Sequence, residues 1–131
     1  MSLPRESPAA RALHGLALAV ITATLLVHIP DLHWTRFLVA FALIDLGGYL
    51  PGAVAFRRAR GAPIPALYHH LYNVTHSFLT AGFAVLVWIS VTGPEWAMLG
   101  IPLHLCGDRA LFGNGPKPAH LPFERHAVGT S

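Results

Sequence analysis

Charge is what this sequence has least of. Asp, Glu, Lys and Arg make up 11% of its 131 residues, against roughly a quarter in an ordinary soluble domain. With 53% hydrophobic residues and a mean hydropathy of +0.51, the chain reads as one that lives in a bilayer. Cysteine is nearly absent as well. The single Cys106 excludes a disulfide framework and a cysteine-rich metal site within one chain, and its apolar setting assigns it to packing. The nine Lys and Arg are scattered singly or in one short cluster, and the formal net charge is only +3. That leaves no basic face for nucleic acid. Internal repeats and low-complexity segments are also missing.

What the chain does contain is apolar runs of membrane length. Residues 1–11 hold Pro, Ser and charges and read as a short mobile arm. The run 12–29 is about as long as a helix needs to cross a hydrocarbon core near 30 Å thick. It does not read as a cleaved secretory signal, because no small-x-small site follows it and further spans come after. A break at Pro30 and Asp31 leads to a second run, 34–56, opened by the interfacial Trp34 and containing Asp45, Gly47, Gly48 and Pro51. A bend or a close helix contact is expected near Gly47–Pro51.

Arg57, Arg58 and Arg60, then Gly61 and two prolines, turn the chain into a third run, 67–92, and Gly93–Pro94 lead into a fourth, 95–113. The rest, residues 116–131, is a Pro- and Gly-rich tail. The expected fold is therefore all-α, an integral membrane bundle of four transmembrane helices within residues 12–115. Eight of the nine basic residues fall on the side that holds both termini and the 57–60 turn, and only Arg36 falls opposite. The positive-inside rule makes that side cytoplasmic.

Polar residues inside these runs are the candidates for function. On a continuous third helix, His69, Asn73, His76 and Thr80 would form one polar stripe, which should face protein rather than lipid. Counting ~1.5 Å per residue from the cytoplasmic ends places Asp45, His76, His104 and Asp108 in one layer. His104 and Asp108 share a face, as do Asp45 and Tyr49. His14 falls near the cytoplasmic end of the first helix, within reach of His69 or His70.

Unpaired carboxylates at membrane depth are costly, about 2.5–3.5 kcal/mol each on the mildest scale, so these must be paired, protonated or bound to a cation. A divalent ion held by Asp45, His76, His104 and Asp108 meets that need, and the donor set suits zinc, manganese or iron. With a water in an open position such a site becomes hydrolytic. The same residues also fit plain interhelical hydrogen bonding, or haem held by His76 and His104. His28, His33, His120 and His126 lie at interfaces or in the tail and read as solvated. Phe78, Phe83 and Trp88 are ordinary packing residues for a span.

Three strings carry a resemblance: Asp45-x-x-Gly48-Tyr49, Leu71-Tyr72-Asn73-x-x-His76-Ser77, and His104-x-x-x-Asp108-Arg109-x-x-x-Gly113-x-Gly115-x-Lys117. Over about residues 45–117 the chain resembles a family of small uncharacterised bacterial membrane proteins, domain of unknown function 4260. More loosely, Asp45, Thr75-His76-Ser77 and His104 with Asp108 resemble, in order, the LexA-regulated membrane-bound metal-dependent hydrolases. That resemblance implies a multi-pass protein of the bacterial inner membrane with a hydrolytic metal site.

The expected reading is a metal-dependent, hydrolase-like enzyme acting on a lipid or other amphiphile. Asp45, His76, His104 and Asp108 are the candidate ligands, and His69, His70, Asn73 and Arg109 the candidate catalytic residues. His69 or His70 would be the general base or acid, and Arg109 or Lys117 would steady an anionic headgroup. Two other readings accompany it: a haem-binding or structural membrane subunit, and a metal-free acid/base isomerase or cyclase of an apolar substrate. Four short helices have little interior, so a homo-oligomer that completes the site is a further expectation.

Overall fold

Helix α1, Pro8–Val27, starts where its sequence dictates. Pro8 occupies the first turn, and the Ser7 hydroxyl accepts the Ala10 N–H at 3.1 Å, so the chain begins helix about one turn earlier than residue 12. Among its residues only Leu25 is buried in protein. Leu13, Leu16 and Leu26 are each more than 60% exposed, which in water would be untenable for so many contiguous apolar side chains. The computed structural model describes residues 3–124, and all regular elements among them are helical apart from one antiparallel bridge between Arg5 and Asn114.

A short 3₁₀ turn, Ile29–Asp31, leads into α2, Trp34–Ile44, which continues through a π-helical turn, Asp45–Tyr49, into α3, Leu50–Ala59. Together they form one rod, Trp34–Ala59, 26 residues long. The π turn is the form taken by the bend expected near Gly47–Pro51. Pro51 has no N–H to give the Gly47 carbonyl, and the N–H of Leu50 reaches back five residues to the Asp45 carbonyl. Arg60, at a left-handed φ of 49°, and Gly61, at 94°, end the rod.

The expected third span is not one straight helix. Helix α4, Ala66–Thr75, and α5, Phe78–Thr92, meet at 55°. The reason is local: Ser77 leaves the helix and its hydroxyl accepts the Leu79 N–H at 3.2 Å, capping a new start. The continuous stripe expected for His69, Asn73, His76 and Thr80 is therefore broken at His76. The fourth run is also shorter than 95–113. It comprises a 3₁₀ turn, Trp96–Leu99, and α6, Gly100–Leu111, and those 12 α-helical residues span about 18 Å at ~1.5 Å each. Two helices, Pro8–Val27 and Trp34–Ala59, are long and apolar enough to cross a membrane, or three if the bent pair is one span.

Helix α6 sits at the centre, against α1, α2 and α5. Gly100 allows the approach to α2, since a Cβ there would lie 3.0 Å from the Phe37 carbonyl oxygen. One core cluster joins Ala40, Ala81, Ile101 and Leu105, and another joins Ala53, Phe56, Tyr72 and Phe123. At the end holding Arg36, its guanidinium pairs with Glu95 at 3.0 Å and His28 stacks on Trp96 at 3.7 Å.

The segments expected as arm and tail make specific contacts. Glu6 N–H bonds the Gly113 carbonyl at 3.2 Å, and the Arg11 guanidinium reaches the Ala110 and Leu111 carbonyls. Phe123 is fully buried against Gly52, where a Cβ would come within 2.2 Å of its ring. His126 lies outside the described residues.

Candidate metal centre

Asp45, His76, His104 and Asp108 each turn one potential ligand atom towards a common point, all within 4.8 Å of one another. They come from the π turn, the α4–α5 break and α6, so two irregularities of the fold each deliver one residue and a regular helix delivers the other two. His76 Nε2 lies 3.2 Å from Asp45 Oδ1 and 3.4 Å from Asp108 Oδ2, and His104 Nε2 lies 3.3 and 3.5 Å from the same two oxygens. Charge-assisted N–H···O bonds run shorter, about 2.7–2.9 Å. Bonds of about 2.0–2.2 Å to one ion put neighbouring ligand atoms about 3.3–3.6 Å apart at tetrahedral angles, close to the four nitrogen–oxygen separations here, and the remaining two separations lie within 4.8 Å.

The imidazoles are oriented from behind. His104 Nδ1 lies 2.7 Å from the Phe41 carbonyl, and His76 Nδ1 lies 3.1 Å from the Tyr72 carbonyl. A carbonyl only accepts, so each Nδ1 carries a proton and each Nε2 faces the carboxylates, the orientation in which a hydrogen bond on the far nitrogen holds a metal-binding histidine. The π turn contributes directly: the Asp45 N–H turns to the Ala42 carbonyl instead of that of Phe41, and Phe41 pairs with His104. Thr75 Oγ, which donates to the Leu71 carbonyl at 2.9 Å, also lies 3.1 Å from His76 Nδ1. Gly48 keeps this corner tight, because a Cβ there would fall 1.8 Å from Thr75 Oγ.

Both histidines are buried, whereas the Asp45 side chain is 46% exposed and that of Asp108 20%. His104 Nε2 is shut off from solvent with no hydrogen-bond partner among the described residues. Neutral imidazoles would turn lone pairs towards two carboxylates, and those repel unless a positive charge, an imidazolium proton or a cation, lies between them. These four residues could hold a metal ion.

The remaining candidates are placed elsewhere. His69 is 2% exposed, bonds the Leu121 carbonyl through Nε2 at 3.0 Å and meets Phe123 edge-on, while His70 is exposed. Neither joins the cluster, since both lie on α4 before the bend. Asn73 clamps the tail: its Nδ2 donates to the Lys117 carbonyl at 3.0 Å and its Oδ1 accepts the Lys117 N–H at 2.6 Å. His14 stacks on Phe78 rather than on either α4 histidine.

Arg109 does stand beside the centre. It pairs with Glu6, donates to the His76 carbonyl at 3.3 Å and lies 5.0 Å over the Phe78 ring. The Lys117 ammonium donates to the Phe123 carbonyl at 2.6 Å and lies near the rings of Tyr72 and Phe123, at 4.7 and 4.8 Å. Tyr49 donates to Glu124 at 2.8 Å.

Two cavities flank the cluster, and both are lined by Tyr72, His76, Asp108 and Asn114. The larger, about 650 Å³, adds Asp45, Tyr49, Arg57 and Lys117. The smaller, about 200 Å³, adds Asn73, Ser77 and Arg109. Sequence reasoning missed the Phe41 and Tyr72 carbonyls and the Asn114 side chain. The first two carry no sequence signal, and Asn114 lies within the Gly113-x-Gly115 string. No family model, curated protein or solved structure matches the chain.

Proposed function

We propose that the chain is a multi-pass protein of a bacterial inner membrane that holds a divalent cation between Asp45, His76, His104 and Asp108 and hydrolyses an amphiphile there. The observation that carries this reading is the convergence of the four ligand atoms with both imidazoles turned Nε2-inward by backbone carbonyls. The two-nitrogen, two-oxygen donor set suits zinc, manganese or iron. Haem is less well supported, because the carboxylate oxygens lie between the two imidazoles where a porphyrin would have to pass. Four crossings, with Arg5, Arg11, the 57–60 turn and Lys117 on the cytoplasmic side, agree with the positive-inside rule.

A divalent ion held by these four residues with a further position open to water would lower that water's pKa towards neutrality and so supply a nucleophile. The chain's own residues do the rest. Each aspartate offers one oxygen to the cluster and keeps the other to accept a proton from the attacking water. The half-exposed Asp45 side chain faces the larger cleft, whose volume lies in the range of small-molecule sites. Lipid-facing helices around the cluster give an amphiphile its route in. The test is elemental analysis of the detergent-purified protein. Close to one divalent ion per chain is expected, with loss of nearly all of it in His104→Ala. A folded wild type that binds no metal from a Zn²⁺, Mn²⁺ or Fe²⁺ titration refutes the reading.

A further inference from the structure

The smaller cavity presents hydrogen-bond donors from several directions. Arg109 uses one N–H on Glu6 and one on the His76 carbonyl, so most of its guanidinium donors remain available. Asn114 gives its backbone N–H to the Asp108 carbonyl at 3.1 Å and lines the cavity, where its side-chain amide can donate. Ser77 accepts the Leu79 N–H, which leaves its hydroxyl proton to donate. Asn73 keeps one amide N–H beyond the one it gives Lys117. The fourth wall is His76 and Asp108, two members of the metal cluster.

A carboxylate accepts hydrogen bonds close to its own plane, whereas a tetrahedral oxyanion accepts them from all around. Here donors come from α6, from the loop after it and from the α4–α5 break, around a space of about 200 Å³. That arrangement matches a tetrahedral oxyanion. The N-terminus of α5, which opens at Phe78 beside the cavity, adds its partial positive charge.

We propose that this cavity receives the phosphoryl group of a phosphate-ester amphiphile, with Arg109 and Asn114 as its principal donors and the larger cleft taking the rest of the molecule. The proposal rests on the hydrolytic reading of the metal centre and names its substrate class. In the reaction a water oxygen bonds to phosphorus, the P–O bond to the alcohol breaks, and the proton released by the water ends on the leaving alkoxide. No oxidant or reductant takes part.

The test is binding of inorganic phosphate to the zinc-loaded, detergent-purified protein, followed by calorimetry, with metal content measured on the same samples. Saturable binding is expected that weakens at least about tenfold in Arg109→Lys, the loss of one hydrogen bond to a charged group, and severalfold in Asn114→Ala, both with wild-type zinc content. Dihexanoyl phosphatidic acid and glycerol 3-phosphate serve as competitors: stronger competition by the lipid identifies an amphiphile headgroup, and equal competition identifies the phosphate alone. Zinc-loaded wild type that binds no phosphate, or an Arg109→Lys protein that binds it as wild type does, overturns the proposal. If no metal binds, the metal reading fails by itself. Phosphate binding is then read on the metal-free protein, where dependence on Arg109 still supports the cavity and its absence refutes it.

Discussion

Helices α1 and α6 invert what burial means in a soluble protein. Helix α1 is 20 residues of almost unbroken apolar sequence, yet only Leu25 is buried in protein. Helix α6 has 12 residues that include His104, Asp108 and Arg109, yet buries Gly100, Ile101, His104, Leu105 and Cys106. For a helix that crosses a bilayer the outer face costs nothing to leave apolar, and hydropathy then reports what meets lipid rather than what is buried in protein. Helix association instead uses close approach by small residues and polar contacts. The long apolar helix is therefore the wall, and a shorter, more polar one is the pillar.

Substitutions on the two helices sharpen this contrast. The largest effect belongs to His104→Ala, which removes a ligand atom: bound metal should fall by more than about 100-fold, beyond what the loss of a residue that only orients a ligand costs, as read by elemental analysis. Next comes Leu105→Ala, where a side chain 1% exposed leaves a cavity worth about 2–5 kcal/mol, measurable as a lowered unfolding midpoint in detergent. Gly100→Ala places a Cβ 3.0 Å from the Phe37 carbonyl oxygen and should cost about 1–3 kcal/mol by separating α6 from α2.

The smallest effect is expected at Leu16, 65% exposed on α1. Leu16→Ala should stay within about 0.5 kcal/mol. An effect as large as that of Leu105→Ala would break the comparison and show that a second copy covers this face. Crosslinking of Leu16→Cys chains would then report it.

Much of this was legible in the sequence, for identifiable reasons. Apolar length located α1 and the Trp34–Ala59 rod, and counting residues from the charged ends put Asp45, His76, His104 and Asp108 at one depth. The breaks were less visible. Ser77 looked like one more polar residue within a long apolar run, and only its capping bond to Leu79 shows that a new helix begins there. His69 and Asn73 shared a face with His76 on paper, but that bend directs them to Leu121 and Lys117. The part played by residues 117–124 was hidden because its anchors, a phenylalanine in a glycine notch and a lysine on a carbonyl, depend on tertiary contact alone.

The π turn at Asp45–Tyr49 has a consequence for the phase of the rod. An α-helix rotates by about 100° per residue, and a turn holding one extra residue offsets everything beyond it by that amount. Upstream, the rod addresses α6 through Ala40 and the Phe41 carbonyl; downstream, it addresses α4 and Phe123 through Gly52, Ala53 and Phe56. Removing a single residue from Asp45–Tyr49 would re-time the two halves, and no side chain on either would meet its present neighbour.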